Sequence, residues 1–316
     1  MDSRIFQKLA DPDLLRRSPI FVFAADALAS VGLHGLGMEQ APRPHHRTRP
    51  EFLNLMRQTV SDGHIDGLLM TPADAEILTM EERLFDTSPV TPIVRMNAET
   101  NIWNPRFGRY RQQPSLPFQT VPLDEARYCE VLVGSAMSCH VSLGLYSITL
   151  NNDVIADEHT LNTYLRFAHE VGGRPDFQHI LEVFLPNVNL PGMDHEARGQ
   201  YVADSIVRTM SYLRKSQRPL FIKTEYTSAD VWKELTSFDP TLVIGALGGP
   251  RQNARKTLQL AYDVAEHGGR AILFGRTVFG EDNPRLIARA LRAVLDRQQP
   301  PEDALREYQA ALRSAS

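Results

Sequence analysis

The chain has 316 residues and a formal net charge of −4, from 34 Lys and Arg against 38 Asp and Glu. That length fits one large α/β barrel or two ordinary domains, and the charge leaves no electrostatic footprint for a nucleic-acid partner. Two cysteines, Cys129 and Cys139, make no disulfide framework and have no metal-ligand spacing around them, which fits a reducing cytosol. The opening segment MDSRIFQKLADPDLLRRS has no apolar signal core, and no apolar run approaches the roughly 18–20 residues of a membrane span. A cytoplasmic protein with no membrane partner is the expectation.

Short apolar runs alternate with longer amphipathic ones. Pro19 to Leu28 contains a first strand ending near Asp26. The basic stretch Arg43 to Arg49 reads as a solvated loop rather than a nucleic-acid patch, with a loop folding over an anionic substrate as the lesser alternative. Pro50 to Ser61 has apolar residues at helical spacing, Ile65 to Thr71 is a second strand and Thr91 to Asn97 a third. Asn97 to Pro122 is long, polar and proline-containing, and predicts an extended loop; loops of that length are uncommon unless functional or disordered. Leu123 to Met137 is helical, opened by Asp124 and Glu125. Cys139 to Leu150 is a fourth strand, Asp157 to Val171 a helix stopped by Gly172-Gly173, and Gln178 to Leu185 a fifth strand ended by Pro186. Glu196 to Ser216 is a long helix and Leu220 to Tyr226 a sixth strand. Ser228 caps a short helix running to Leu235. Thr241 to Leu247, the helix Asn253 to Glu266, the strand Ala271 to Phe274 and the helices Pro284 to Asp296 and Pro301 to Arg313 complete the chain.

Eight strands alternating with helices predict a closed (β/α)8 barrel, with an open doubly wound sheet as the alternative. The first strand is followed by no Gly-rich dinucleotide fingerprint, which argues against the open form. No interior linker interrupts the pattern. A single barrel domain over 1–316, with a short N-terminal extension and a C-terminal helix, is expected.

Lys223 sits in the apolar strand PLFIKTEYT. Lysine is almost never fully buried unless paired. Burial without a partner lowers an ammonium's pKa and makes a neutral amine available, which beside a carbonyl carbon forms a Schiff base. The competing account is a lysine held by a carboxylate on a neighbouring strand. In a barrel the reacting groups gather at the C-terminal ends of the strands. Glu225 is two residues from Lys223 and shares its face, so it would hold the lysine or exchange protons with it. Asp26 ends strand one, Arg95 and Asn97 end strand three, His140 and Ser142 share a face on strand four, and Glu182 lies inside strand five. Each alone reads as a cap or a loop anchor; together they converge on one barrel mouth. Gly248-Gly249 after strand seven and Gly275-Arg276 after strand eight suit a phosphate or similar anion, because glycine lets backbone N–H groups approach closely and Arg276 adds a bidentate contact. Tight turns are the plainer account of these glycines.

Three segments, FIKTEYTSAD, VIGALGGPRQN and AILFGRTVFGEDNPRLIARALRAVL, together with FVFAADAL in strand one, resemble the Schiff-base aldolases of the archaeal-type class I fructose-bisphosphate aldolase and deoxyribose-phosphate aldolase superfamily. The likeness is clearest over the last third of the chain. It implies a (β/α)8 barrel, a Schiff base on Lys223, a proton-handling Asp26, a phosphate held by Gly248, Gly249, Gly275 and Arg276, no metal, no cofactor and a homo-oligomer. Carried over, it makes the chain a lyase acting on a phosphorylated carbonyl compound. Asp26 and Glu182 become candidate bases, Glu225 and Tyr226 helpers, and Arg95, Asn97 and Tyr226 substrate contacts. One departure stands out. The archaeal fructose-bisphosphate enzymes carry a tyrosine just before the strand-five proline, where this chain has Leu185 before Pro186. The Lys-Thr-Glu-Tyr run also resembles the branch containing the autoinducer-2 phosphate thiolase. A thiolase or isomerase using the same lysine, or a non-catalytic sugar-phosphate-binding barrel, are the alternatives.

Overall fold

A computed structural model of the chain describes residues 3–29, 32–40, 43–99, 106–128 and 141–315. Eight parallel strands close into a barrel: β1 (Ile20–Ala24), β2 (Gly67–Met70), β3 (Thr91–Arg95), β4 (Leu143–Thr149), β5 (Gln178–Phe184), β6 (Ile222–Thr224), β7 (Ile244–Leu247) and β8 (Ala271–Phe274). Each pairs with its sequence neighbour, and β1 closes the ring against β8, with Ile20 opposite Ala271. This is the expected (β/α)8 barrel. The strands are shorter than the apolar runs suggest, because several residues at each end serve as connections.

Helices cover the outside. Their starts follow local capping chemistry: the side chains of Asp153, Asp194, Asn253 and Asn283 accept from backbone N–H groups in the first turns of the helices that follow. Thr48 and Glu51 form a reciprocal capping box at Arg49–Asp62. The helix expected over 123–137 is described as Leu123–Tyr128; Cys129, Cys139 and His140 lie outside the described residues. No described helix is long and apolar enough to cross a membrane.

Alternation sorts the strand residues cleanly. Ile20, Val22 and Ala24 of β1, Leu69 of β2, Ile93 of β3, Leu143 and Leu145 of β4, Ile180 of β5 and Leu273 of β8 form one buried cluster inside the barrel, joined by Ile5 from the N-terminal helix Arg4–Ala10. The neighbouring positions, such as Phe21, Phe23, Leu181 and Ile272, belong to the outer core against the helices. Ile5 reaches the barrel floor where β2 has Gly67; a Cβ there would lie 2.8 Å from Ile5 Cδ1. Below it, buried Asp66 accepts from Lys8 Nζ (2.9 Å), Phe21 N (2.8 Å) and Arg292 Nη2 (3.0 Å), tying the N-terminal extension to the last barrel helix. The floor is therefore sealed by apolar and ionic contacts, and the polar inward positions are left to the opposite, C-terminal end.

The basic stretch departs from the solvated-loop expectation at Arg47. This side chain is 4% exposed; Nη1 donates to the carbonyls of Phe279 (2.6 Å) and Leu36 (3.2 Å), and Nε to Glu39 (3.1 Å). A buried guanidinium must place its fan of donors, and the carbonyls that receive them come from distant segments.

Candidate active site

Continuing the inward parity beyond the apolar layers brings five polar side chains to one level. They are Asp26 just past β1, Arg95 at the end of β3, Ser147 of β4, Glu182 of β5 and Lys223 of β6. All are nearly excluded from solvent, at 8%, 3%, 0%, 2% and 5% exposed. Lys223 and Glu182 are register partners on adjacent strands, with Nζ 2.6 Å from Oε1. Glu182 Oε2 accepts from Ser147 Oγ at 2.6 Å and lies 3.5 Å from Arg95 Nη1. Arg95 Nη1 donates to Asp26 Oδ2 (2.6 Å), Nη2 to Ser147 Oγ (3.0 Å) and Nε to the Asn97 carbonyl (2.9 Å). The result is a chain Lys223–Glu182–Ser147–Arg95–Asp26 in which each charge has an opposite neighbour, the condition for holding charge in a low-dielectric interior. Burial opposes the Arg95 charge, but Asp26 and then Glu182 more than offset it, and the guanidinium's pKa is raised.

A cavity of about 360 Å³ opens onto this layer. Asp26, Arg95, Glu182, Lys223, Glu225, Gly248, Gly249, Gly275 and Arg276 all line it, so nine of the thirteen sequence-predicted residues come together. The partner of Lys223 is Glu182 rather than Glu225. Glu225 lies past the end of β6, with its carboxylate 3.8 Å from His195 Nε2; burial raises its pKa and His195 opposes that shift.

Three predicted residues lie elsewhere. Tyr226 has the opposite parity to Lys223 and turns toward the helices. Its hydroxyl meets His267 Nδ1 at 2.8 Å, and its ring stacks on His267 and tilts against Trp232. Asn97 is on a short strand, Asn97–Glu99, that leaves the barrel to pair with Pro117–Gln119. Its amide donates to the Ser147 carbonyl (2.8 Å) and its Oδ1 accepts from Ser147 N (2.7 Å), so it completes the β4 backbone ladder instead of facing the cavity. Ser142 lies just before β4, and its carbonyl accepts from Gln178 N.

The loop ends after β7 and β8 are shaped by close packing. A Cβ on Gly248 would lie 2.4 Å from Thr277 Oγ1, and one on Gly275 2.5 Å from the Ala24 carbonyl. Gly249 has φ +67°, the left-handed region that favours glycine. Beside them Arg276 is exposed, with no carboxylate within ion-pair distance among the described residues. This side of the cavity thus offers backbone and a free guanidinium.

Sequence reasoning missed Ser147, Tyr110 and Arg111. Ser147 was legible as a polar residue at an inward position of the apolar run LGLYSIT. Tyr110 and Arg111 come from the long connection after β3, which was recognised without its residues being singled out; both line the cavity. Leu185, which precedes Pro186, packs outward against the helix-side core, and Phe184 lines the cavity instead. Behind Tyr110 lies Glu99, wholly buried, with Oε2 accepting from Thr149 and Oε1 without a partner among the described residues. Burial pushes its carboxyl up to about 8 against the hydrogen bond from Thr149.

No protein-family model matches the sequence. Among solved structures, the chain is similar to an archaeal fructose 1,6-bisphosphate aldolase, with TM-score 0.64 and 16% identity over 89% of this chain and 95% of that one. It is also similar to an archaeal fructose-1,6-bisphosphate aldolase whose catalytic lysine is covalently bound to the carbinolamine intermediate of its substrate, with TM-score 0.60 and 16% identity over 89% and 95% of the two chains. A fructose-bisphosphate aldolase from Slackia heliotrinireducens gives TM-score 0.68 and 12% identity over 96% and 91%. The shared feature is the barrel.

Proposed function

We propose that this chain is a Schiff-base aldolase, a lyase that cleaves or forms a C–C bond in a phosphorylated carbonyl compound through Lys223. The observation that carries the reading is an amine inside a cavity at the C-terminal end of a (β/α)8 barrel, 2.6 Å from a carboxylate that can take its proton. The likeness to aldolase structures supports it.

Glu182 receives a proton from the Lys223 ammonium and frees the amine. The amine adds to the substrate carbonyl, and the proton held by Glu182 leaves with the carbinolamine hydroxyl as water, which gives an iminium on Lys223 and returns Glu182 to its carboxylate form. The iminium draws the electron pair of the adjacent C–C bond, leaving an enamine, while Asp26 or Glu182 takes the proton of the hydroxyl at the cleaved carbon. Positioned acid–base help of this kind is typically worth about 100- to 10,000-fold. Arg95 lies between the two carboxylates and keeps both oriented toward the cavity. The phosphate is held by backbone N–H groups at Gly248, Gly249 and Gly275 and by Arg276, whose guanidinium is otherwise uncommitted.

Sodium borohydride reduction in the presence of a panel of ketose and aldose phosphates, read by intact mass and peptide sequencing, tests the reading. A covalent adduct on Lys223 is expected, and its mass identifies the carbonyl fragment. Absence of any adduct across the panel leaves Lys223 as a structural ion-pair partner and sinks the proposal.

A further inference from the structure

The cavity is rich in acceptors and cations but poor in neutral donors. Asp26 and Glu182 are already engaged by Arg95, Ser147 and Lys223. Arg111 and Arg276 are exposed cations at the rim. Among the described side chains that line the cavity, one hydroxyl is present, that of Tyr110.

Tyr110 is held in place by an unusual route. It belongs to the connection after β3, yet its backbone carbonyl accepts from Asn187 Nδ2 at 2.5 Å, three residues beyond the end of β5. The same amide nitrogen donates to the Gln113 carbonyl (2.8 Å), and Asn187 Oδ1 accepts from Ser115 N (2.9 Å). Asn187 is fixed in turn by its own N–H, which donates to Asn151 Oδ1 at 3.0 Å. One side chain therefore gathers three points of the loop and holds Tyr110 in the cavity wall, with its phenol hydrogen-bonded to Thr149 of β4 and to Ser115. Burial, and then the Glu99 charge, push the Tyr110 phenol up to about 12, so it keeps its proton through neutral pH.

We propose that Tyr110 is a catalytic residue whose hydroxyl supplies the proton taken up by the enamine carbon after bond cleavage, and removes it in the reverse direction. This rests on the Schiff-base reading of Lys223. Cleavage sends the substrate hydroxyl proton to the carboxylate acting as base and leaves the bonding electrons in the enamine. Those electrons form a C–H bond with the Tyr110 proton as the C=N bond of the iminium re-forms. The tyrosinate then regains a proton from the carboxyl that received one, and water releases the product from Lys223. Glu225, also on the cavity wall with a raised pKa, is the competing donor.

The test uses the full chain and dihydroxyacetone phosphate, a three-carbon ketone phosphate, as the probe in deuterated water. Borohydride trapping reads imine formation, and NMR reads exchange of the carbon-bound hydrogen. Tyr110→Phe keeps the ring and its packing, so trapping should match the wild type while exchange slows by about 100-fold or more. Exchange within a few-fold of wild type in Tyr110→Phe overturns the proposal, as does a loss of exchange carried by Glu225→Gln instead. Loss of trapping in Tyr110→Phe also overturns it, because the residue then serves the lysine and not the carbon. No trapped adduct in the wild type with this probe or with any member of the sugar-phosphate panel removes the Schiff-base reading itself.

Discussion

Lys223 and Glu182 face each other across adjacent strands, and the ammonium of one lies 2.6 Å from the carboxylate of the other. Removing one member of a buried pair usually costs about 3–5 kcal/mol, because the other charge is stranded. Here Glu182 keeps Ser147 and Arg95 as partners. Lys223→Met should therefore abolish turnover and the borohydride adduct while lowering unfolding free energy in urea by less than that range. Adding Glu182→Gln to Lys223→Met should restore part of the loss. A double variant no more stable than the single one would show that the stranded charge is not the source of the cost.

Arg276 stands at the rim with no carboxylate partner among the described residues, so its truncation removes little from the folded chain. Surface substitutions of this kind usually stay within about 0.5 kcal/mol. A hydrogen bond to a charged ligand group is worth about 1.5–3 kcal/mol, or roughly 10- to 150-fold. Arg276→Ala should raise KM for a phosphorylated substrate by that factor and leave kcat and melting temperature nearly unchanged. A fall in kcat at constant KM would remove Arg276 from phosphate binding.

Arg47 reaches the same end of the cavity through the backbone of Phe279. Its Nη1 holds the carbonyl of Phe279, the last residue of the short helix Arg276–Phe279 that carries the rim arginine. Lysine keeps the charge but cannot serve Glu39 and two carbonyls with one planar fork. A buried acceptor left without its donor costs about 1–3 kcal/mol. Arg47→Lys should lose stability by that amount in chemical denaturation and raise KM without touching the trapped adduct. Wild-type stability in Arg47→Lys would mean that the clamp is dispensable.

The parts of this site that a sequence reveals are those set by strand parity. Polar residues at the ends of apolar runs, Asp26, Arg95, Glu182 and Lys223, converge because a closed parallel barrel points all their inward positions at one axis. The same rule, applied strictly, turns Tyr226 outward. Arg47, Asn97 and Tyr110 obey no such period. Arg47 finds its carbonyl partner 232 positions away, and Tyr110 is anchored by Asn187 at a separation of 77. Asn97 sits where the chain leaves the barrel, so the parity that holds for Arg95 fails two residues later. Contacts between distant loops carry no local pattern, whereas the alternation of a buried strand does.

Glu99 makes the fold sensitive to pH in a direction opposite to that of an ion-paired acid. Burial raises its carboxyl from an ordinary 4.5 to about 8. Between those values the folded chain keeps a proton that the unfolded chain has lost, so stability falls as pH rises. The contribution is complete below about 4.5 and gone above about 8. At about 1.4 kcal/mol per pH unit of displacement, the loss reaches several kcal/mol. His179 works in the other sense: burial depresses it to about 3, so its contribution is present above its ordinary 6.5 and is lost as pH falls toward 3. Comparison with Glu99→Gln, which is close in shape to the protonated acid, isolates the first effect. Melting temperature from pH 5 to 8.5 should fall more steeply in the wild type than in Glu99→Gln, with the two curves separating steadily from pH 5 to about 8 and running parallel above that, because His179 acts equally in both. Parallel curves across the whole range would mean that Glu99 ionises in the folded chain as readily as in water, with its negative charge beside Tyr110 at neutral pH.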